Sequence, residues 1–317
     1  MISVIITAYN SEKYIARAVS SVQSQICNID HEIIVVDDGS YDNTCKILEQ
    51  FSNIRYISKQ NGGPSSARNL GIDNSKYDLI CFLDSDDFWE PNKLIMQFNS
   101  FKEYPEASIF TCNSNIIKND IIIGTLNNPE KVFLKKNLKS GIVKNYLRKN
   151  GRYNFHQPSS IMVKKELFEK YGLFSDKYIG VEDSEIFMRW VLNDEIIYYQ
   201  NDILSNYETS NPNSLTKNFS SWSKNHFSYW MDLEDKIPEN LSKKSIFFEM
   251  RKNTLLSSIF VLIKNFHPSL ARKLLFKHFT LLFCFRWIYI FLITLIPNQI
   301  LKITKNVKNL YYRRSRN

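Results

Sequence analysis

Cysteine is scarce in this sequence. Five cysteines occur among 317 residues, scattered and without a CxxC pair, so structural zinc sites and disulfide frameworks have little support. A reducing, cytosolic environment fits this cysteine usage best. The residues after Met1 contain no basic segment followed by an apolar run of the required length, so we expect no secretory signal peptide.

Glycine is also infrequent, with nine residues, and none of them belongs to a GxGxxG or GxxxxGK[ST] motif. The absence of these phosphate-binding loops argues against ordinary dinucleotide-binding and P-loop proteins. No repeat of fixed period and no low-complexity linker divides residues 1–210, which we expect to belong to one domain.

Basic residues are concentrated at the C-terminal end. Residues 236–317 contain 16 Lys and Arg but only two acidic residues, Glu239 and Glu249, whereas residues 1–235 contain 25 Lys and Arg and 30 acidic residues. This asymmetry predicts an anionic partner for the C-terminal region, either a membrane surface or a nucleic acid.

Within that region, residues 279–296 are apolar except for Arg286. As a helix this segment would be roughly 27 Å long, which barely crosses a bilayer. Arg286 near its middle would cost about 2.5–3.5 kcal/mol there. We therefore favour a helix lying in the membrane interface, with neighbouring Lys and Arg on anionic headgroups. The alternatives are a helix packed on the preceding domain or on the partner of a homodimer, and a membrane-spanning helix.

Short apolar runs alternate with helical patterns over the first hundred residues. The runs at 3–7, 32–36, 54–58 and 79–83 predict strands with helices between them. This alternation predicts a Rossmann-like α/β fold, with a parallel sheet covered by helices on both faces. Ligands bind beyond the carboxyl ends of the strands in such sheets. Polar clusters follow three of the four predicted strands at that position.

Residues 105–210 alternate less regularly. We predict strands at 109–112 and 121–123, a strand after His156, and helices at 165–171 and from Glu182 onward. The last helix has an apolar face that includes Trp190. We expect this part to continue the first domain.

Three carboxylates lie within four residues in Asp84-Ser85-Asp86-Asp87, directly after the apolar run 79–83. Buried together they would repel one another, and a divalent cation would relieve that repulsion. Mg²⁺ typically binds through one or two carboxylates together with substrate phosphates, and it would stabilise a diphosphate leaving group. Taken alone, a solvated turn that caps the next helix explains the same pattern equally well.

Three further polar segments suit nucleotide binding. The acids of Asp37-Asp38-Gly39-Ser40 would accept hydrogen bonds from a base or ribose, although these residues also favour a plain strand-to-helix turn. The segments Asn61-Gly62-Gly63 and Ala67-Arg68-Asn69 would bring backbone amides and a cation toward phosphate or base. For Ala67-Arg68-Asn69, the alternative is a surface helix with an ordinary arginine.

Taken in order, these motifs resemble the family 2 glycosyltransferases, a large inverting family with the GT-A fold. The series covers about residues 1–210, and the ordered set is highly specific although each single motif is weak. It comprises Thr7-Ala8-Tyr9-Asn10, Val36-Asp37-Asp38-Gly39-Ser40, Asn61-Gly62-Gly63, Ala67-Arg68-Asn69-Leu70-Gly71, Leu83-Asp84-Ser85-Asp86-Asp87 and Glu182-Asp183. The resemblance implies a GT-A catalytic domain at 1–235, with a donor-binding half at 1–104 and an acceptor-side half at 105–235. A basic, apolar, helical and membrane-associating region would follow at 236–317.

The resemblance also implies roles for single residues of the donor site. Tyr9 would stack on the nucleobase, Asp38 would accept a hydrogen bond from it, and Arg68 would approach the base or a phosphate. Asp86 would be the main ligand of a Mn²⁺ or Mg²⁺ ion, and Asp84 would help to bind this ion or hold the ribose. The implied donor-binding set is Thr7, Tyr9, Asn10, Asp38, Asn61, Arg68, Asp84 and Ser85.

In the same family pattern, Asp183 is the general base. Inversion by single displacement requires one carboxylate that takes the acceptor hydroxyl proton while the nucleotide diphosphate leaves from the opposite face. Asp183 also lies at the start of a predicted helix, where backbone amides stabilise its charge. A plain helix cap is the alternative. On the acceptor side we place His156, Glu182 and Trp190, although a lone histidine or a helix tryptophan is more often structural.

These features predict an enzyme that moves a sugar from a nucleotide-sugar donor, favouring a UDP-sugar, to a glycan or lipid-linked acceptor in surface polysaccharide biosynthesis. We expect it in the cytoplasm, peripheral on the cytosolic face of the cell membrane through residues 240–317. A nucleotidyltransferase or sugar-nucleotide pyrophosphorylase is the alternative enzyme, but such enzymes usually carry a Gly-rich basic loop after the first strand. A nucleic-acid partner is disfavoured because the tail is rich in apolar residues and the N-terminal domain is acidic.

Overall fold

The computed structural model describes residues 1–127, 139–143, 146 and 157–212, and the single residues 232, 259, 269, 272, 273 and 276. The chain divides into two compact units, Met1–Ser214 and Leu215–Asn317. The predictions for His156, for residues 279–296 and for the basic tail lie outside the described residues. Among the helices that are described, none is long and apolar enough to cross a membrane.

The first four strands form the parallel half of one sheet, in the order β3-β2-β1-β4. They are β1 (Ile2–Ala8), β2 (His31–Asp37), β3 (Arg55–Ser58) and β4 (Leu79–Asp84). Strands β1 and β4 are buried along nearly their whole length, as expected for strands covered on both faces. The predicted parallel pairing is confirmed for this half of the sheet.

Helix α1 (Ile15–Gln23) covers one face of this half. Its buried residues recur at helical spacing and pack with Val4 and Ile6 of β1 in the main hydrophobic core. A shorter helix, α2 (Thr44–Leu48), adds Leu48 to the same core. Helices α1 and α2 therefore cover the same face of the parallel half.

Helix α3 (Gly63–Asp73) covers the other face, where Ala67 packs with Ile34 and Val36 of β2. Gly71 lies so close to the sheet that a Cβ atom on it would overlap the side chain of Ile5. The close approach of helix and sheet thus depends on glycine at this position. Helices on both faces were predicted, and this is confirmed for the parallel half.

The second half of the unit makes the sheet mixed. Its elements are β5 (Phe88–Trp89), α4 (Lys93–Glu103), β6 (Ile109–Lys118), β7 (Ile121–Thr125), β8 (Gly141–Ile142), β9 (Ile161–Lys164), α5 (Glu166–Tyr171), α6 (Glu182–Leu192) and β10 (Ile197–Glu208). Strand β9 is antiparallel to both β4 and β6, between which it lies, and β10 is parallel to β6. The parallel sheet predicted for the first hundred residues therefore continues into a mixed sheet in the second half. Because two antiparallel pairings restore the direction, β6 and β10 end at the same edge as β4.

Candidate active site

The polar clusters that follow β1, β2 and β4 lie side by side at one edge of the sheet. In the strand register Thr7 pairs with Val36 on one side and with Asp84 on the other. The Thr7 hydroxyl donates to Asp84 Oδ1 at 3.4 Å, and Ser85 N donates to Thr7 O at 3.2 Å. The hydroxyl oxygens of Ser11 and Ser85 lie 2.6 Å apart, which joins the loops after β1 and β4.

Asp37, the last residue of β2, shapes the loop that follows it. Its Oδ1 accepts hydrogen bonds from Ser40 N at 3.0 Å and from the Ser40 hydroxyl at 2.6 Å. Its Oδ2 accepts from the Tyr56 hydroxyl at 3.0 Å. This is the Asx arrangement in which an aspartate supports its own turn. Asp37 therefore stabilises the loop that presents the neighbouring Asp38.

Asp38 is buried and connects that loop to the start of α3. Its Oδ1 accepts from Lys59 Nζ at 2.6 Å and from Gly62 N at 2.9 Å, and its Oδ2 accepts from Gly63 N at 2.7 Å. Because each carboxylate oxygen accepts about two hydrogen bonds, Oδ2 retains capacity for one further donor, such as a base N–H. Asn61 Nδ2 donates to the carbonyl oxygen of Asp38 at 3.1 Å, so Asn61 supports the same loop.

Asn10 links the loops after β1 and β2. It adopts a left-handed conformation with φ of +49°, which asparagine tolerates better than most residues. Asn10 N donates to Ser40 Oγ at 2.9 Å, and Asn10 Oδ1 accepts from Tyr41 N at 3.0 Å. Asn10, which was predicted to bind the sugar donor, thus connects two loops through hydrogen bonds. Tyr9, the residue before it, is 47% exposed.

Arg68 lies at the centre of the site and is only 4% exposed. Its Nη2 donates to Asp84 Oδ1 and its Nη1 donates to Glu182 Oε1, each at 2.8 Å. Burial lowers the pKa of Arg68, but the two carboxylates outweigh burial and raise it above its ordinary value, so the side chain is charged. Arg68 joins the end of β4 to the start of α6. A contact of Arg68 with a base or phosphate, the role that the resemblance implied, stays a prediction.

Helix α6 brings Glu182 and Asp183 to this edge of the sheet. Glu182 is buried. Its Oε1 accepts from Arg68 Nη1, and its Oε2 accepts from Gly180 N at 2.7 Å. This pairing corrects the prediction that Glu182 faces the acceptor. Asp183 Oδ1 accepts from Ser184 N at 2.6 Å. Burial raises the pKa of Asp183 to about 6, with Arg68 and Ser184 opposing the rise and Asp84 adding to it. A carboxyl group that titrates near neutrality suits proton transfer.

Asp183 also lines an apolar pocket, which accounts for its desolvation. The other lining residues are Phe82, Pro158, Ile161, Phe174, Ile186 and Trp190. Trp190 is 1% exposed, and its ring packs edge to face on Phe168 with centroids 5.5 Å apart. Trp190 is therefore a core residue, which corrects its predicted place on the acceptor side.

Asp87, the third carboxylate of the cluster, is fully enclosed. It accepts hydrogen bonds from Gln157 Nε2 at 2.8 Å, the Ser159 hydroxyl at 2.5 Å and Glu208 N at 2.9 Å. Burial raises the pKa of Asp87 well above its ordinary value, and Asp86 and Asp84 add to the rise. Asp87 connects β4 to β10 and to the turn before β9, and it has a structural function.

Asp86 is partly exposed and borders a second group of polar residues. Its Oδ2 accepts from Asn211 Nδ2 at 2.8 Å, and its carbonyl oxygen accepts from Arg17 Nη2 at 3.0 Å. The same Arg17 nitrogen donates to Glu208 Oε2 at 3.3 Å. Burial and the neighbouring Asp84 raise the pKa of Asp86 to about 6, so the negative charge is destabilised when no cation is near.

Asp84 and Asp86 fit a hard divalent cation. Both are partly exposed and both offer oxygen ligands. Burial, and after it the charge of Asp84, raise the pKa of Asp86, and a cation would stabilise the ionised carboxylates. In the described part of the chain, no three His, Cys, Asp or Glu side chains form a complete metal site. A Mg²⁺ or Mn²⁺ ion that binds together with substrate phosphates needs only one or two carboxylates.

Several residues of the site were not predicted from the sequence. Gln157 and Ser159 stand beside the histidine that was predicted, but nothing in their types indicated contact with Asp87. Glu208 is the last residue of β10 and Asn211 follows this strand. The sequence of β10 shows no clear alternation of apolar and polar residues that would predict a strand. Among the described residues, those not predicted include Arg17, Tyr41, Lys59, Gln157, Ser159, Glu208 and Asn211.

The family assignment follows from comparison with known proteins. A family model described as Glycosyl transferase family 2 matches residues 3–172, more than half of the chain. This chain belongs to glycosyl transferase family 2. The resemblance drawn from the ordered motifs is thereby confirmed, and the family gives no support to a nucleotidyltransferase or to a nucleic-acid-binding protein.

Relatives of this family 2 member include large synthases. It is 35% identical over 154 residues to a chondroitin synthase of Escherichia coli, covering 47% of this chain and 22% of that protein. It is 28% identical over 235 residues to a chondroitin synthase of Pasteurella multocida, covering 72% of this chain and 22% of that protein. The chain therefore spans about a fifth of the length of these synthases. An Escherichia coli UDP-Glc:alpha-D-GlcNAc-diphosphoundecaprenol beta-1,3-glucosyltransferase is 36% identical over 143 residues, with coverage of 44% and 56%.

Solved structures show the same fold. TarS of S. aureus, residues 1–349 with UDP-GlcNAc, matches with a TM-score of 0.62 at 18% identity, covering 86% of this chain and 87% of that one. The mannosyltransferase PcManGT of Pyrobaculum calidifontis, with GDP-Man and Mn²⁺, matches with a TM-score of 0.60 at 15% identity, covering 96% and 86%. The mixed sheet of this chain therefore has the architecture of GT-A glycosyltransferases.

Proposed function

We propose that this chain transfers a sugar from a nucleotide-sugar to a glycan or lipid-linked acceptor in surface polysaccharide biosynthesis. The observation that carries the proposal is the bridge made by Arg68, which holds Asp84 and Glu182 on one guanidinium. Through this bridge the carboxylates at the end of β4 and the candidate base Asp183 occupy one edge of the sheet. Membership of glycosyl transferase family 2 makes sugar transfer the expected chemistry.

In this proposal Asp183 is the general base. It takes the proton of the acceptor hydroxyl as that oxygen bonds to the anomeric carbon of the donor sugar. The bond from this carbon to the diphosphate oxygen breaks on the opposite face, so the configuration inverts. The raised pKa of Asp183, about 6, supports this role because a carboxylate of higher pKa is a stronger base and is still ionised at neutral pH.

Asp86 and Asp84 are the proposed ligands of Mn²⁺ or Mg²⁺. When bound, such an ion would neutralise charge that develops on the leaving diphosphate. Asp87 takes no part in this step, because its three hydrogen bonds hold it within the fold. Asp86 is the residue on which the proposed metal requirement depends most.

A UDP-sugar is the proposed donor. Asp38 Oδ2 retains an acceptor position that suits a base N–H, and Tyr9 offers a partly exposed ring for stacking. One of the compared proteins has UDP-Glc in its name and TarS is in complex with UDP-GlcNAc, whereas the mannosyltransferase is in complex with GDP-Man. The basic C-terminal region, 236–317, supports a place on the cytosolic face of the membrane, next to a lipid-linked acceptor.

The proposed function is tested with the purified full-length protein and Mn²⁺. UDP-glucose, UDP-N-acetylglucosamine, UDP-glucuronate and GDP-mannose are each offered with a panel of oligosaccharide and lipid-diphosphate-linked acceptors. We expect one donor to yield nucleoside diphosphate and a glycosylated acceptor, and Asp183→Asn to abolish the product. Absence of product with every pair, with donor hydrolysis equal in wild type and Asp183→Asn, would contradict the proposal.

A further inference from the structure

Two tyrosines stand together on the loops after β1 and β2. Tyr9 is 47% exposed and Tyr41 is 83% exposed. Their ring centroids lie 6.3 Å apart and their planes are inclined by 83°, an edge-to-face arrangement. A ring as exposed as that of Tyr41 removes little apolar surface from water, so it contributes little to folding. Burial of apolar surface therefore does not explain the position of Tyr41.

The backbone beneath the two rings is fixed by contacts between the loops. Asn10 N donates to Ser40 Oγ at 2.9 Å, and Tyr41 N donates to Asn10 Oδ1 at 3.0 Å. Glu12 N donates to Asp42 Oδ2 at 3.1 Å on the other side of these bonds. Both tyrosines thus extend from cross-linked backbone, and the separation of their Cα atoms is set before any ligand arrives. Such preorganisation lowers the entropic cost of binding.

The aromatic pair stands at the edge of the sheet where the donor nucleotide is proposed to bind. Tyr41 follows the Asp37–Ser40 turn, and Asp38 in that turn holds the acceptor position suited to a base N–H. Perpendicular rings form a corner, so that a planar ligand stacked on one ring meets the other ring edge to face. The pair therefore fits a flat heterocycle joined to a ribose.

We infer that Tyr41 is a second aromatic wall of the nucleoside site, contacting the base or ribose of a nucleotide whose base stacks on Tyr9. This inference rests on the proposed function. It assigns to Tyr41 a contribution to nucleoside affinity and none to the diphosphate or the metal, which belong to Asp84 and Asp86. Because every base has a π face, the contribution is expected for any base that the pocket admits.

The test measures binding by calorimetry in Mn²⁺, using whichever of UDP, GDP, CDP and dTDP the wild-type protein binds most tightly. We expect Tyr41→Ala to raise the dissociation constant of that nucleotide by about fivefold or more, and Tyr41→Phe to change it by less than about twofold. Binding of inorganic pyrophosphate with Mn²⁺ should be equal in all three proteins. Ile26→Ala provides a matched control, since Ile26 is 73% exposed and follows the other end of α1.

A double-mutant cycle with Tyr9→Ala gives the sharper readout. If both rings contact one nucleoside, the loss of binding free energy in the double variant should differ from the sum of the losses in the two single variants. The thermal midpoint of Tyr41→Ala without ligand should equal that of wild type, because the ring is exposed. Nucleotide affinity unchanged in Tyr41→Ala, or pyrophosphate affinity lowered to the same extent, would overturn the inference. A wild-type protein that binds none of the four nucleotides would overturn the proposed function itself, and the inference with it.

Discussion

Arg68 Nη1 lies 2.8 Å from Glu182 Oε1, and both side chains are almost completely removed from solvent. Breaking a buried ion pair by removing one partner typically costs about 3–5 kcal/mol, because an uncompensated charge remains. Since Arg68 also pairs with Asp84, loss of this one side chain would release the start of α6 from the end of β4. The arginine therefore matters to the site through what it holds in place.

Replacing Arg68 should change the pH dependence of the reaction. The positive charge of Arg68 lowers the pKa of Asp183, so Arg68→Gln should raise this pKa above about 6. The base must be ionised, and the rising limb of kcat/KM should therefore move to higher pH. Measurement at saturating Mn²⁺ keeps the titration of Asp86 out of the profile. Arg189→Gln is the matched control, because Arg189 pairs with Glu185 on the same helix. If the rising limb of kcat/KM in Arg68→Gln stays at the pH of the wild type, the assignment of Asp183 as general base is contradicted.

Removing the charge of Asp183 should abolish turnover and stabilise the protein. The folded-state pKa of about 6 lies above the ordinary value of an aspartate, so the ionised carboxylate destabilises the folded state above pH 6. Asp183→Asn should thus have a higher thermal midpoint than wild type at about pH 8, and the difference should vanish below about pH 4. Donor binding should persist. Lower stability of the variant at pH 8 would argue against a desolvated base.

Asp86 and Asp87 should respond differently to the same change. Asp86→Asn should leave the fold intact but remove the thermal stabilisation that Mn²⁺ and UDP give together, because a carboxylate ligand is lost. Asp87→Asn should leave that stabilisation in place, because Asp87 is enclosed by three buried hydrogen bonds and is not a proposed metal ligand. Metal-dependent stabilisation that survives in Asp86→Asn would remove this residue as a ligand.

The parallel half of the fold could be predicted because each apolar run is followed by a polar cluster and then by a helical pattern. Once strands β1, β2 and β4 are parallel neighbours, their carboxyl ends must meet. The sequence pattern alone therefore places Thr7, Asp38 and Asp84 at one edge of the sheet. The pattern does not indicate that the Thr7 hydroxyl donates to Asp84, or that Asp38 accepts from Gly62 N and Gly63 N.

The second half could not be predicted in the same way. Strand β9 has only four residues and follows a turn, so its sequence does not reveal that it runs antiparallel between β4 and β6. Strand β10 mixes buried and exposed positions without strict alternation, and it carries bulges against β6. The Arg68–Glu182 pair joins residues 114 positions apart. Local pattern carries no information about such a tertiary contact, so the ion pair between Arg68 and Glu182 could not be predicted.

Gly71 offers a test of how closely α3 packs on the sheet. A Cβ atom at this position would overlap Ile5 Cγ2, so Gly71→Ala should force the helix or Ile5 to move. Overpacking of this kind typically costs about 1–3 kcal/mol, even though alanine is intrinsically the better helix residue. Chemical denaturation measures the change. Ile5→Ala removes the overlapping Cγ2 atom, so Gly71→Ala combined with Ile5→Ala should lose less stability than the sum of the two single variants. A stabilised Gly71→Ala variant would contradict the close approach.

The proposed contact with the membrane depends on the charge of the tail. Six basic residues occupy its last stretch, namely Lys302, Lys305, Lys308, Arg313, Arg314 and Arg316. Replacing all six by Gln in the full-length chain should reduce co-sedimentation with vesicles that contain phosphatidylglycerol. Each basic residue near an anionic surface contributes about 1 kcal/mol, and added salt should weaken wild-type binding in the same direction.

A matched control separates tail position from net charge. Six exposed lysines of the first unit can be replaced by Gln instead, namely Lys13, Lys46, Lys76, Lys102, Lys118 and Lys170. If net charge alone governs binding, both sixfold variants should lose the same amount, which would contradict a specific role of the tail. If the tail is the contact, only its own variant should remain in the supernatant. Equal binding of both variants and wild type would instead leave apolar insertion of residues 279–296 as the source of any attachment, because that segment is unchanged in all three proteins.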